Sequence, residues 1–359
     1  MKPHSRTTTR NILAMGLVAG LALVTGCTKS ESDNSAPAQT SSAGDAGKQV
    51  AESGGKTCAI GDYGADKLDL KNAVVGFSQS EKEANPFRIA ETASIKAEAS
   101  KRGIKLLTAN AQSQFSKQIS DVQDLIAKGA ELLVIAPLNS DGWEPVLRSA
   151  QAKKIPIITI DRQINAAPCK DYVSFIGSDF VAQGRRAADQ LIEATGGKGE
   201  IAILLGAAGN NVTTERTKGF EDRVKAKAPG LKIVFKQTGE FTREKGQSVT
   251  EQLIQSKPGI KAIYAENDEM GLGAVNALKG AGKKPGAVKI VTIDGTRNAV
   301  QGIADGWISA VIESNPRFGP LAFATLDSFT QGKPVGEDIV IQDSQYTGAN
   351  AKADLNKAY

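Results

Sequence analysis

The sequence predicts an α/β fold of two similar, Rossmann-like lobes, each a parallel sheet with helices on both faces. Short apolar runs rich in β-branched residues alternate with segments of helical spacing along most of the chain, the pattern of βαβ units. Two of these runs, ITIDR (158–162) and VTIDG (291–295), end alike on an aspartate. In open α/β sheets ligands sit outside the carboxyl ends of the strands. At 359 residues the chain is long enough for two domains with sizeable cores.

The alternation opens at Asn72. AVVGFSQ (73–79) reads as a strand, residues 88–102 as a helix that Gly103 ends, and IKLLTAN (104–110) as the second strand. Ile119, Val122 and Ile126 then fall at helical spacing, with Gly129 as the stop. ELLVIAP (131–137), a helix over 144–153, IPIITID (155–161) and YVSFIGSD (172–179) complete five strands. Trp143, at a helix start, reads as core packing. After Asp179 a helix runs to Ala194, and GGKG (196–199) turns the chain into a second series. Its strands are EIAILLG (200–206), LKIVFKQTGEF (231–241), IKAIYAEND (260–268) and VKIVTIDG (288–295). WISAVIES (307–314) reads as the return crossing to the first lobe, and DIVIQDSQY (338–346) as the last crossing to the second.

Charge and composition exclude several classes of function. The formal net charge of +5 owes three of its cations to Lys2, Arg6 and Arg10, and no acid precedes Glu31. Without those three, 41 basic residues face 39 acidic ones, no ground for nucleic-acid binding. The only histidine is His4. A chain matured past it can use neither Ser-His-Asp nor Cys-His catalysis, nor histidine acid–base chemistry, nor His-ligated zinc.

The N-terminus reads as an export signal. A basic stretch over 1–10 precedes an apolar run over 12–25 that is short for a bilayer span. The run ends VTGC at Cys27, which resembles the bacterial lipobox; that implies a signal peptide over 1–26 and lipidation of Cys27. Residues 28–57 are mostly Ser, Ala, Gly, Thr, Asp and Lys with little to bury, so the segment from 27 to 71 reads as a flexible tether. Its roughly thirty residues would reach roughly 30 Å. Outside the cytoplasm the two remaining cysteines, Cys58 and Cys169, are expected to form a disulfide.

Particular segments carry a family resemblance. GFSQ (76–79), ANPFRIAET (84–92), KGAELLVIAPLNSDGWEPVL (128–147), IPIITIDR (155–162) and GEFTREKG (239–246) together resemble the periplasmic sugar-binding proteins of ABC transporters. The likeness is to the galactofuranose-binding branch of the ribose/galactose-binding family and covers residues 72–359. It implies a type I periplasmic binding protein fold, whose two lobes are joined by a three-crossing hinge. The N-terminal lobe would take 72–177 and 308–334, the C-terminal lobe 178–307 and 335–359.

The resemblance also implies a ligand set. Glu83 and Arg88 match the acid and arginine that hold the sugar, although the loop before them runs one residue longer than in the family. Phe87 matches an aromatic that packs on the sugar ring. Read from the residues alone, Glu83 and Arg88 could be a solvated helix start and Phe87 a hydrophobic staple. Asp161 and Arg162 pair an acceptor with a rigid donor fork at a strand end, although an ion pair capping the strand is the alternative. Arg216 matches a second sugar-binding arginine, against a surface partner for Glu215 or Glu221. Asn267 offers an amide that donates and accepts at once, with Asp268 as a helix cap. Asp294 matches a ligand aspartate of the second lobe, against a turn before Gly295. Asn85, Phe241 and Glu313 are further candidates.

Together these readings give an exported, lipid-anchored, monomeric receptor that hands a monosaccharide to an ABC permease without chemistry, cofactor or metal. A receptor of the same fold serving chemotaxis or quorum sensing is the alternative. A glycosidase using Asp161, Asp294 and Glu313 is a weaker one. A sugar-responsive DNA-binding regulator would need a basic module where the leader and tether stand.

Overall fold

The computed structural model describes residues 50–52 and 55–359. The signal peptide over 1–26, Cys27 and most of the tether lie outside the described residues. The described residues begin with β1 (Val50–Glu52), β2 (Thr57–Cys58) and α1 (Ile60–Tyr63). The first alternation follows as β3 (Val74–Gln79), α2 (Pro86–Arg102), β4 (Lys105–Asn110), α3 (Phe115–Ala127), β5 (Leu132–Ile135), α4 (Glu144–Ala152), β6 (Ile157–Ile160) and β7 (Ser174–Ser178). Helix α5 (Phe180–Thr195) leads into β8 (Lys198–Leu205), α6 (Asn211–Lys227), β9 (Gly230–Thr238), α7 (Arg243–Ser256), β10 (Ala262–Ala265) and α8 (Asp268–Gly280). The second series ends with β11 (Lys289–Asp294), α9 (Arg297–Ala304) and β12 (Ala310–Glu313). Last come α10 (Gly319–Thr330), β13 (Val335–Gly336), β14 (Asp338–Ile341), β15 (Gln345–Thr347) and α11 (Ala351–Asp354).

Besides a two-stranded pairing of β13 with β2, the described residues form two large sheets. One runs β1-β14-β7-β6-β5-β3-β4, the other β15-β12-β11-β10-β8-β9. Every pairing within them is parallel except those of the edge strands β1 and β15. The central strands LLVI, IITI and AIYA are buried along their whole length, which is why they read as unbroken apolar runs rather than alternating ones. Helix ends follow local chemistry. Asn85 caps α2 by accepting from the Arg88 N–H, with Pro86 in the first turn, and Gly103 closes it at φ 68°.

The two sheets divide the chain differently from the expected boundaries. β12, expected in the first lobe, pairs with β11 in the second sheet. β14, expected in the second lobe, pairs with β7 in the first. The chain therefore passes between sheets after Ser178, between Glu313 and α10, and between Ile341 and Gln345. An apolar run satisfies either sheet equally, so its pattern does not say which one takes it.

The expected tether also ends earlier than residue 71. β1 pairs with β14, and β2 pairs with β13. Cys58 is bonded to Cys169 with their Cα atoms 5.0 Å apart, Tyr63 Oη donates to the Ile155 carbonyl at 3.1 Å, and Leu70 is buried. Backbone pairing and a disulfide hold this stretch, so it needs little of the apolar surface by which a sequence announces a strand. Trp143 is buried, with Nε1 donating to the Asn139 carbonyl at 2.8 Å and its ring edge-on to Phe115.

Candidate functional site

The carboxyl ends of both sheets face one cavity of about 330 Å³, mouth included, lined by Glu81, Asn85, Phe87, Arg88, Asp161, Arg162, Val212, Arg216, Phe241, Asn267 and Asp294. On the side of the first sheet a carboxylate–guanidinium network forms where β3 and β6 end and α2 begins. Glu81 bridges two arginines, accepting from Arg88 Nε at 3.1 Å and Arg162 Nη2 at 2.6 Å. Arg88 Nη1 lies 2.7 Å from Asp161 Oδ2 and donates to Glu91 Oε2 at 2.8 Å. Arg162 Nη1 donates to the Leu138 carbonyl at 3.2 Å.

The electrostatics follow from this packing. Burial disfavours the charge on Glu81, but Arg162 and Arg88 outweigh it and hold the carboxyl at about 2. Burial likewise opposes the charge on Arg88, and Asp161, Glu81 and Glu91 more than compensate. For Glu91, behind the network, burial wins and pushes the carboxyl up to about 7. The network thus presents fixed donors and acceptors to the cavity.

The second sheet supplies a smaller counterpart. Arg216, on α6, donates from Nη1 to the Glu266 carbonyl at 2.6 Å, and its Nη2 lies 3.8 Å from Asp294 Oδ1. Burial pushes the Asp294 carboxyl well above the usual range, with Arg216 opposing. Asn267 caps α8 by accepting from the Met270 N–H at 3.0 Å and donates to the Phe241 carbonyl at 3.1 Å. Asp268, expected as a cap, sits inside α8 and instead accepts from the Gly295 and Thr296 N–H groups at 2.9 and 2.7 Å.

Asp161 and Asp294 share a further feature. Both strand-end aspartates have positive φ, 64° and 146°, a conformation that costs a non-glycine residue free energy and clusters at functional positions. Apolar walls complete the cavity. Phe87 packs against Phe318 and Tyr359 at centroid distances of 6.5 and 6.2 Å. Across the cleft the Arg162 guanidinium lies 5.8 Å from the Phe241 ring centroid. The lobes also touch at the rim, where the Ser140 N–H donates to the Gly209 carbonyl at 2.9 Å and the Gln163 N–H to Asn211 Oδ1 at 3.1 Å. The cavity is therefore held in a closed arrangement.

Nine of the sequence candidates line this cavity: Asn85, Phe87, Arg88, Asp161, Arg162, Arg216, Phe241, Asn267 and Asp294. Two do not. Glu83 is exposed, with Asn110 Nδ2 3.4 Å from its carboxylate, and Glu81 takes the inward place. Glu313 is buried, but its Oε2 accepts from the Ser344 N–H at 2.8 Å, so it serves the passage between sheets instead. Glu81 and Val212 were missed. Glu81 stands two residues past the end of β3, and the strand-end reasoning that found Asp161 would have found it. Val212 carried no signal, being one apolar residue in a polar helix start. Among the described residues, no group of three His, Cys, Asp or Glu side chains is placed to hold a metal ion.

Comparison with known proteins agrees with this architecture. The signature of the periplasmic binding protein domain matches residues 75–334. The galactofuranose-binding protein YtfQ of Escherichia coli is 36% identical over 289 residues, 79% of this chain and 90% of that protein. The binding-protein component of the arabinose ABC transporter from Shewanella, solved with α- and β-L-arabinofuranose, is 38% identical with a TM-score of 0.76, covering 79% of this chain and 95% of that one. A Mycobacterium smegmatis structure in complex with β-D-fucofuranose is 37% identical, also at 0.76, covering 79% and 94%. The match spans most of the described residues and both sheets, and the chain belongs to the periplasmic binding protein domain family.

Proposed function

We propose that this protein captures one monosaccharide in its furanose form, galactofuranose or a related aldose, and delivers it to an ABC permease. The observation that carries the reading is the doubled strand-end chemistry: Asp161 with Arg88 and Arg162 from one sheet, Asp294 with Arg216 from the other. A sugar hydroxyl donates and accepts at once, so paired carboxylates and guanidiniums satisfy it from both sides. Phe87 and Phe241 offer rings to the apolar faces of the sugar. Each polar group that a wrong epimer leaves unpaired costs about 1–3 kcal/mol, a physical basis for selectivity. The furanose preference rests on the three relatives, each named for a furanose or seen with one.

In this reading the protein works exported, monomeric and anchored through lipidated Cys27, and the permease recognises the closed lobes. A ligand shifts closure only by preferring the closed state. The hydrolytic alternative needs Asp161, Asp294 and Glu313 to converge, and Glu313 faces Ser344 rather than the cavity. The test is a thermal-shift and calorimetric screen of unfolded and refolded protein, freed of carried-over ligand. The panel holds arabinose, galactose, fucose, ribose, glucose and a galactofuranoside, with amino acids as controls. A ligand at a hundred times its dissociation constant adds about 2.7 kcal/mol. Response to furanose-forming sugars, lost in Asp294→Asn, supports the proposal; response to amino acids alone, or to none, sinks it.

A further inference from the structure

One chain of hydrogen bonds joins the cavity to the passages between the sheets. Arg216 donates from Nε to Gln183 Oε1 at 2.9 Å. Gln183, buried on α5, donates from Nε2 to Asp343 Oδ2 at 2.7 Å and to the Glu313 carbonyl at 3.3 Å. Asp343 lies on the third passage. Its Oδ1 accepts from Ser178 Oγ, at the first passage, at 3.2 Å, and from the Asn315 N–H, on the second, at 3.3 Å. Arg186 steadies the same loop by donating to the Asp343 and Ser344 carbonyls at 2.8 and 2.7 Å. One carboxylate therefore clasps all three passages.

The polarity of this chain is forced. A guanidinium only donates, so the Gln183 amide must turn its oxygen to Arg216 and its Nε2 to Asp343, whose Oδ2 accepts. We propose that Gln183 and Asp343 are positioning residues that couple occupation of the cavity at Arg216 to the geometry of the hinge. The proposal rests on the reading of the cavity as a sugar site. Sugar that engages Arg216 in the closed arrangement stabilises the orientation of Gln183, and with it the clasp. When the lobes part, the three passages turn relative to one another, and Asp343 loses the arrangement in which it accepts from all of them. Neither Gln183 nor Asp343 lines the cavity, so their effect on affinity is transmitted.

Asp343→Asn is the sharpest test, because it preserves shape and reverses polarity. With the asparagine oxygen kept on Ser178 and Asn315, its amide meets the Gln183 amide; if Gln183 flips, it meets Arg216 donor to donor. Calorimetry with L-arabinose should show Asp343→Asn and Gln183→Ala each weakening binding about ten-fold. The double variant should lose about as much as either alone, since both break one chain. Wild-type affinity in the single variants, or losses that multiply, would overturn the coupling. Amide hydrogen exchange on ligand-free protein gives an arm that needs no sugar. Arg216→Lys, at the cavity end, should speed exchange of the Asn315 amide at the hinge, and an unchanged rate there counts against the relay. If wild-type protein fails to bind any sugar, the ligand reading falls, and the exchange arm still decides the relay.

Discussion

At the scale of single residues, Glu81 does what neither arginine can do alone. Two guanidiniums brought into one cleft repel, and a carboxylate bridging both turns that repulsion into a fixed donor array. Removing one partner of such a buried cluster leaves charge uncompensated, which is costlier than never having placed the pair. Glu81→Gln should therefore lower sugar affinity at least about ten-fold and lower the melting temperature by several degrees. Glu83→Gln, two residues on and exposed, should change stability by less than about 0.5 kcal/mol and leave affinity alone. Calorimetry and thermal denaturation of both variants check the assignment; an equal effect would overturn it, and a reversed one would show that Glu83, not Glu81, faces the ligand.

At the scale of elements, the second-lobe site depends on how closely α5 and α6 approach. A Cβ on Gly184 would meet the Arg216 carbonyl oxygen at 2.2 Å, and one on Gly219 would meet the Val181 carbonyl oxygen at 2.1 Å. The two glycines thus let backbone lie on backbone, which brings Gln183 of one helix to Arg216 of the other. Gly219→Ala must push the helices apart, with an expected cost of about 1–3 kcal/mol. It should also weaken sugar binding through the displaced Arg216, although Gly219 lines no part of the cavity. Denaturant unfolding and calorimetry read the two effects together. Unchanged binding in a destabilised variant would show that α6 shifts without carrying Arg216 with it.

At the scale of the whole molecule, stability should depend on pH with a definite sign. Burial pushes the carboxyls of Glu91, Glu266 and Asp343 up to about 7 and that of Asp268 up to about 6. Unfolded, such groups titrate near 4. Between pH 8 and pH 5 the folded chain therefore binds protons that the unfolded chain does not, and stability rises as pH falls. Glu81 has the opposite sign: its stabilisation is full above about 4.5 and is lost as pH falls toward its folded value of about 2. Urea unfolding from pH 8 to pH 3 should show a maximum on the acid side of neutrality, with the slope reduced in Glu266→Gln. A flat profile would contradict it. The disulfide acts at the same scale, closing a sequence separation of 111 residues. Its removal in Cys169→Ser should cost about 2–5 kcal/mol and leave the affinity of the folded protein unchanged; an unaltered unfolding midpoint would overturn this.

The sequence by itself determined what is local. A buried parallel strand needs an unbroken apolar run and must stop where polar chemistry begins, so Asp161, Arg162, Asn267 and Asp294 could be read from where such runs end. The missing histidines were equally legible, because composition needs no geometry. The family likeness then singled out Arg88 and Arg216, whose places near helix starts carry no mark of a ligand role. Tertiary structure decided everything that depends on which surface a residue meets. Glu81 and Glu83 are chemically alike, and only the path of the loop turns one inward. AVIE (310–313) and DIVI (338–341) would satisfy either sheet, and each was settled by the strand beside which it came to lie. Asp343 was invisible in sequence because the groups it joins, Ser178, Gln183 and Asn315, lie more than twenty residues away along the chain and meet only in the fold.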